Sequence, residues 1–97
     1  MIRLLIADDH AIVRGGLKQI FEHVVDLQVV GEASNGAEVL AGVRQDDLDL
    51  LLLDMNMPGI SGADLIRRVK LQRPGLPILV LKWLNKLTLS KFTLFRS

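Results

Sequence analysis

The sequence has no cysteine and no tyrosine, and its aromatic residues are three Phe and one Trp. The lack of thiols excludes disulfides and metal sites built on thiolates. The longest uncharged stretch is well short of the roughly 18 residues of a membrane helix, and the N-terminus lacks the basic start of a secretory signal. We therefore expect one cytoplasmic domain of 97 residues with no membrane partner.

Acidic residues are absent from the last third of the chain. All 11 lie at or before Asp64, whereas eight of the 12 basic residues follow it. Such polarity can mark a nucleic-acid-binding end, but it also describes two solvated faces of one domain. We favour two faces, because four of the basic residues lie in or just after one predicted amphipathic helix. We therefore predict no DNA binding by this chain itself.

Short apolar runs alternate with segments of helical spacing. Two of the runs are apolar at nearly every position, which is typical of strands buried on both faces. Asn35 and Ser61 each lie three residues before an acidic residue, the spacing of a helix N-cap. Consecutive strands joined by helices run parallel, so the pattern predicts an α/β fold with a doubly wound parallel sheet. The predicted strands are residues 2–7, 27–33, 49–53 and 78–81, and the helical segments centre on residues 13–21, 39–43 and 65–69.

The last sixteen residues depart from this pattern, because they contain no acidic residue, Gly, Pro or Ala. Apolar residues separated by Thr and Ser favour a strand there, and Asn85-Lys86 suits a turn before it. A helix from Trp83 onward remains the alternative. We divide the chain into a domain of residues 1–81 and an atypical tail of residues 82–97, which is a candidate strand or dimerisation arm.

Three carboxylates follow predicted strands. Asp8 and Asp9 come after the first strand and Asp54 after the third. In a parallel sheet, ligands bind beyond the carboxyl ends of the strands, where these side chains converge if the two strands are neighbours. One Asp at a strand end is as readily a solvated loop acid, but three repelling carboxylates suit a hard divalent cation, and Mg²⁺ fits best. His10 and His23 are interpreted as surface residues.

Four blocks of sequence carry a family resemblance. They are IRLLIADDH at 2–10 with VRGGL at 13–17, VGEASNG at 30–36, DLLLLDMNMPGISG at 49–62 and PILVL at 77–81. On these blocks the chain resembles the receiver domain of bacterial two-component response regulators, of the NarL/FixJ type with a helix-turn-helix output domain. This resemblance implies a flavodoxin-like sheet of order 2-1-3-4, with the fifth strand and last helices missing or replaced by the tail.

The resemblance also implies roles for individual residues. Asp54 matches the phosphoacceptor, which takes a phosphoryl group from a sensor histidine kinase in a phosphorelay that regulates transcription. Asp9 matches a direct Mg²⁺ ligand, Asp8 the second acidic member, and Asn56 the position whose backbone carbonyl completes the metal site. Such a module is not an enzyme, apart from self-catalysed phosphotransfer and autodephosphorylation, and its output domain is not among these 97 residues.

Two family positions are not matched. Lys82 follows Leu81 where the family places a Ser or Thr hydroxyl against the phosphoryl group. The chain also ends before the lysine that the family places on a fifth strand. We interpret Lys82 as a solvated lysine rather than a substitute cation, because a flexible ammonium is a poor geometric match. We therefore expect phosphorylation to switch the conformation poorly.

Other functions and assemblies remain open. A Mg²⁺-dependent phosphohydrolase of the haloacid dehalogenase type also uses a nucleophilic Asp, but Asn56 stands where its second Asp is required. A non-signalling dimerisation module is the third alternative. Because loss of a fifth strand leaves the fourth at an edge, the tail is expected to cover it. We favour exchange of tails in a homodimer over a hairpin within one chain.

Overall fold

The computed structural model describes residues 1–85 and 88–95, with side chains through residue 81. The described chain alternates strands and helices until the last two strands, which follow each other directly. No helix in this part of the chain is long and apolar enough to cross a membrane. The elements are β1 (Ile2–Ala7), α1 (Ala11–Glu22), β2 (Leu27–Ala33), α2 (Gly36–Gly42), β3 (Leu50–Asp54), α3 (Gly62–Gln72), β4 (Ile78–Asn85) and β5 (Thr88–Phe95).

The described strands form one sheet in the order β2-β1-β3-β4-β5. The first four are parallel, which confirms the predicted order 2-1-3-4. In the register of β1 and β3, Leu4 pairs with Leu50 and Ala7 with Leu53. The residues that follow these strands therefore emerge beside each other at one edge of the sheet.

Within the tail, residues Thr88–Phe95 form a strand, as the apolar residues separated by Thr and Ser predicted. β5 pairs antiparallel with β4 of the same chain, from Ile78 opposite Phe95 to Asn85 opposite Thr88. This pairing occupies the open ladder of β4, which would otherwise be an exposed edge. The helix from Trp83 is therefore wrong. The pairing of β4 with β5 within one chain corresponds to the predicted alternative, a hairpin, and not to the favoured exchange between chains. The connection at residues 86–87 lies outside the described residues.

Two boundaries differ from those predicted. β3 begins at Leu50 and ends at Asp54, one residue later than expected at each end. β4 continues past Leu81 to Asn85, because its backbone is paired with β5 over that length. Asp54 is therefore the last residue of a buried strand rather than the first residue of a loop.

Both faces of the sheet carry apolar residues, which explains the nearly continuous apolar runs. Successive residues of a strand point to opposite faces, so Leu51 and Leu53 face one layer of helices while Leu52 faces the other. α2 and α3 cover the first face and α1 contributes to the second. The first cluster is built on Leu5, Ala7, Val39, Val43, Leu51, Leu53, Leu65, Val69, Ile78 and Val80. The second is built on Leu4, Ile6, Leu52 and Leu81, with Leu17 and Phe21 against it.

The two predicted N-caps are confirmed. Asn35 Oδ1 accepts from the Glu38 amide at 2.9 Å, and Ser61 Oγ accepts from the Asp64 amide at 3.2 Å. Glu38 reaches back to the Ser34 amide and hydroxyl, at 2.8 and 2.7 Å, which completes a reciprocal cap. These bonds satisfy backbone amides in the first turns of α2 and α3, which begin at Gly36 and Gly62.

Arg73 ties the end of α3 to the end of α2. Its guanidinium donates to three backbone carbonyls, those of Val43 at 3.0 Å, Gln45 at 2.7 Å and Leu48 at 3.1 Å. The carbonyls at a helix C-terminus lack partners within the helix and carry partial negative charge. At Val43, the C-cap, Arg73 supplies a donor and positive charge to that end of α2, and at Gln45 and Leu48 it holds the loop that leads to β3.

We expect Arg73→Ala to lower the free energy of unfolding by about 2 kcal/mol, because it removes several hydrogen bonds from a charged donor. Urea denaturation monitored by circular dichroism measures this loss. Arg67→Ala is the matched control, since Arg67 is 64% exposed and pairs with Asp64 three residues away. It should cost less than about 0.5 kcal/mol. Equal losses from the two variants would contradict the role of Arg73.

Candidate functional site

The acidic residues predicted from the sequence meet at the carboxyl edge of the sheet. Asp8 directly follows β1 and Asp54 ends β3, and these side chains are 1% and 2% exposed. One ligand atom from each of Asp8, Asp9, His10 and Asp54 lies within 4.8 Å of the others. The parallel pairing of β1 with β3 is the reason that residues 46 positions apart share one pocket.

The Asp54 carboxylate has one oxygen that is held and one that is free. Oδ1 accepts from the Asn56 amide at 2.9 Å, while Oδ2 is buried without a partner among the described atoms. Burial raises the pKa of Asp54, the charges of Asp8 and Asp9 add to that rise, and the Asn56 amide partly offsets it. Burial therefore disfavours the charged form of Asp54. Its Oδ2 is left without a hydrogen bond in the cluster with Asp8, Asp9 and His10.

Asp8 and Asp9 present similar free oxygens. Asp8 Oδ1 accepts from the His10 amide at 2.7 Å, but Asp8 Oδ2 and Asp9 Oδ1 are buried without hydrogen-bond partners among the described atoms. Together with Asp54 Oδ2, these are three buried carboxylate oxygens without a hydrogen bond among the described atoms, and one of them, Asp9 Oδ1, lies 3.0 Å from His10 Nδ1 as an ion pair when His10 is protonated. Burying like charges without compensation is costly. An oxygen-rich set of this kind fits a hard divalent cation.

His10 belongs to the pocket, which the sequence analysis missed. Its Nδ1 lies 3.0 Å from Asp8 Oδ1 and 3.0 Å from Asp9 Oδ1. The hydrogen bond to Asp8 and the charge of Asp9 raise the pKa of His10. The side chain is 57% exposed, so the surface assignment was correct in part. The signal that would have found it is its place directly after two acidic residues in the sequence.

Arg14 holds the turn that carries the acidic residues. Its Nη1 donates to the backbone carbonyl of Asp8 at 2.5 Å, and its Nε donates to Glu32 on β2 at 3.1 Å. Lys18 also donates to Glu32 at 3.1 Å. The Lys18 and Arg14 bonds hold the pKa of Glu32 below its usual range. The first turn of α1 is thereby tied to the ends of both β1 and β2.

The loop after Asp54 is packed tightly against α3. Gly59 has a φ of +95°, a backbone conformation that favours glycine. A Cβ on Gly62 would lie 2.6 Å from the Met55 sulfur and 3.0 Å from its carbonyl oxygen. Asn56 is exposed, and the bond that the structure gives it is the one from its amide to Asp54. Its predicted carbonyl role stays a prediction, and the side chain of Lys82 lies outside the described residues.

We expect Asp54→Asn to raise the free energy of unfolding at pH 7 by about 1 to 2 kcal/mol in the absence of divalent cations, because it removes a buried charge. Burial raises the pKa of Asp54 from 3.8, so the folded state binds this proton more tightly than the unfolded state. Stability therefore falls as the pH rises from 3.8 through the raised value, and it stays low above that value. The difference between variant and wild type should vanish at pH values below the window.

Urea denaturation across this pH range tests the expectation. Asp46→Asn is the control, because Asp46 is exposed and outside the pocket. It should leave stability nearly unchanged at every pH. An Asp54→Asn variant less stable than wild type at pH 7 would show that the charge is already compensated.

Comparison with known proteins gives a family for this geometry. The sequence profile of the response regulator receiver domain family matches residues 4–90 of this chain. The response regulator UvrY of Escherichia coli K12 is 38% identical over 81 residues, which are 84% of this chain and 37% of UvrY. The nitrate/nitrite response regulator protein NarL of the same strain is 42% identical over 67 residues, which are 69% of this chain and 31% of NarL.

Solved structures agree. RcsB from Salmonella enterica serovar Typhimurium, bound to promoter rprA with the phosphomimetic BeF3−, superposes with a TM-score of 0.77 and 32% identity. The match covers 82% of this chain and 68% of that one. The matched part of the chain spans about a third of the length of the curated relatives it matches, 37% of UvrY and 31% of NarL. With its parallel sheet, its acidic pocket at the ends of β1 and β3 and these relatives, the chain belongs to the response regulator receiver domain family.

Proposed function

We propose that this chain is a phosphoacceptor module, in which Asp54 takes a phosphoryl group from a phosphohistidine on a sensor histidine kinase. The observation that carries the proposal is the cluster of buried carboxylate oxygens on Asp8, Asp9 and Asp54, of which Asp8 Oδ2 and Asp54 Oδ2 have no partner among the described atoms. A site for an anionic phosphoryl group needs compensating charge beside these carboxylates. We therefore propose that Mg²⁺ is held by Asp8, Asp9, Asp54 and the backbone carbonyl of Asn56.

The geometry around Asp54 suits in-line attack on phosphorus. The Asn56 amide holds Oδ1, which leaves Oδ2 as the attacking oxygen. A bond forms between Oδ2 and phosphorus while the bond from phosphorus to the histidine nitrogen breaks, and that nitrogen leaves as a neutral imidazole. Mg²⁺ would neutralise the equatorial oxygens of the phosphoryl group. Attack of water on the phosphorus would release inorganic phosphate and return the free carboxylate. We propose that the chain itself catalyses both the phosphotransfer and this hydrolysis.

The module would act as one part of a longer signalling chain. Its relatives are response regulators of more than twice its length, and RcsB was solved on a promoter. We propose that the regulated process is transcription, that an output domain outside these residues performs it, and that the setting is the cytoplasm. Residues 1–81 would form the receiver part and residues 82–97 the atypical tail.

The phosphohydrolase alternative is not favoured. That chemistry needs an acid and base two residues after the nucleophile, and this position holds Asn56, which cannot exchange a proton in that way.

The missing hydroxyl at position 82 bears on how the receiver would change conformation after phosphorylation. β4 runs through Lys82, whose backbone pairs with Lys91 of β5. This arrangement supports the proposal that phosphorylation moves the end of β4 less than in a receiver with the hydroxyl.

We expect acetyl phosphate with Mg²⁺ to add one phosphoryl group to Asp54, as detected by intact-protein mass spectrometry. Asp54→Asn should abolish the label because the attacking oxygen is gone. Asp9→Ala should slow labelling at least about tenfold, because it weakens cation binding. Asp46→Asn should behave as wild type. A label retained in Asp54→Asn, or an unchanged rate in Asp9→Ala, would refute the assignment of these residues.

We also propose that two chains associate by exchanging their tails. The β4 to β5 pairing runs from Ile78 opposite Phe95 to Asn85 opposite Thr88. A partner chain can supply the same pairing if β4 and β5 extend through residues 86–87 as one strand. Exchange of an element repeats existing contacts and adds few new requirements.

Light scattering at micromolar concentration tests this assembly. The full chain should be a dimer, and deletion of residues 83–97 should give a monomer or an insoluble protein, because the edge of β4 is then uncovered. A soluble, folded monomer before and after deletion would end the proposal. It would leave the hairpin within one chain as the arrangement in solution.

A further inference from the structure

The imidazole of His10 adds a nitrogen donor to a pocket of oxygen donors. Among the described side chains, His10 Nδ1 is the nitrogen that lies with the carboxylates of Asp8, Asp9 and Asp54. We propose that His10 is a metal ligand, and that it makes this pocket prefer borderline divalent transition metals such as Ni²⁺, Co²⁺ and Zn²⁺ to Mg²⁺. This inference rests on the cation site of the proposed function and is independent of phosphorylation.

The distances at His10 suit adjacent ligands of one ion. Nδ1 lies 3.0 Å from Asp8 Oδ1 and 3.0 Å from Asp9 Oδ1. Adjacent ligands of an octahedral ion with bonds of about 2.1 Å are separated by about 3.0 Å. The imidazole nitrogen thus lies at the spacing of an adjacent ligand from one oxygen of each of the two carboxylates.

The rest of the cluster requires a small contraction. The four ligand atoms lie within 4.8 Å of one another, whereas opposite ligands of such an ion are about 4.2 Å apart. Asp54 is held by a backbone amide, but the His10 side chain is 57% exposed and can adjust its rotamer. Buried oxygens of Asp8 and Asp54 have no competing hydrogen bond among the described atoms. Asp8 Oδ2 and Asp54 Oδ2 can therefore bind an ion while Asp8 Oδ1 and Asp54 Oδ1 keep their bonds to backbone amides.

The identity of the donors decides the preference. Mg²⁺ takes oxygen ligands and keeps several waters, so it gains little from an imidazole. Imidazole suits nickel and zinc, and affinity for mixed nitrogen and oxygen sites rises along the first-row divalent series. The ligating form of His10 is neutral, with its proton on Nε2 and the Nδ1 lone pair toward the ion. With Mg²⁺, His10 is expected to remain beside Asp8 as a hydrogen-bond donor.

Isothermal titration of the untagged full chain with Ni²⁺ and, separately, with Mg²⁺ tests the proposal. His10→Gln should weaken Ni²⁺ binding at least about tenfold, since the loss of supporting residues alone has effects of that size. It should change Mg²⁺ affinity less than about threefold, because oxygen donors carry that ion. His23→Gln is the matched control, because His23 is exposed at the end of α1 and outside the pocket. It should match wild type with both ions.

A spectroscopic measurement distinguishes ligation from charge effects. Electron spin echo modulation of bound Mn²⁺ should show coupling to an imidazole nitrogen in wild type and His23→Gln, and lose it in His10→Gln. Equal loss of Ni²⁺ and Mg²⁺ affinity in His10→Gln, or absence of nitrogen coupling in wild type, would overturn the proposal. Ni²⁺ binding that persists in Asp9→Ala would do the same, because the ion would then lie elsewhere.

The same proteins separate this inference from the proposed function. Wild type and His10→Gln are treated with acetyl phosphate in Mg²⁺ alone and weighed. Labelling of both proteins with no selective loss of Ni²⁺ affinity refutes the role of His10 and leaves the phosphoacceptor intact. No labelling of wild type, together with selective loss of Ni²⁺ affinity in His10→Gln, refutes the phosphoacceptor and leaves the metal site.

Discussion

Burial of carboxylates beside each other at the ends of two neighbouring strands is the constraint on which the rest of the site depends. Asp8 and Asp54 are almost completely inaccessible, and each keeps an oxygen without a hydrogen-bond partner among the described atoms. Like charges in such a place raise the free energy of the folded chain. The nearby groups reduce that cost in part, through the Asn56 amide and the imidazole of His10. A divalent cation bound to these oxygens would offset the remaining cost.

The scaffold fixes these carboxylates because its strands are apolar on both faces. Leu52 and Leu53 pack into opposite clusters, so a shift of β3 by one residue would move Leu53 out of its cluster. Arg14 joins the turn after β1 to Glu32 on the adjacent strand. Arg73 does similar work at the opposite edge, where it holds the end of α2. The core and these two arginines thus position a site that is itself unfavourable.

The last strand shows how the fold responds where the family pattern ends. β4 continues beyond Leu81, and β5 pairs with it antiparallel, so the sheet gains an edge strand without a crossover helix. An antiparallel neighbour needs only a short connection, whereas a parallel one needs a dozen or more residues.

The sequence by itself determined the parallel strands joined by helices and the caps at Asn35 and Ser61, because apolar runs define strands and local spacing defines caps. The strand order was implied by the family resemblance, and the meeting of Asp8 with Asp54 follows from that order because parallel strands end at a common edge. The Arg14 bond to the Asp8 carbonyl and the Arg73 bonds were decided by the tertiary structure, since they depend on the direction of long side chains across elements. The contact of His10 with Asp9 likewise depends on how the turn is folded. The apolar pattern of the tail predicted a strand that pairs with β4. The pattern is the same whether the strand pairs within its own chain or with a second chain. The pairing of β5 with β4 of the same chain was decided by the tertiary structure.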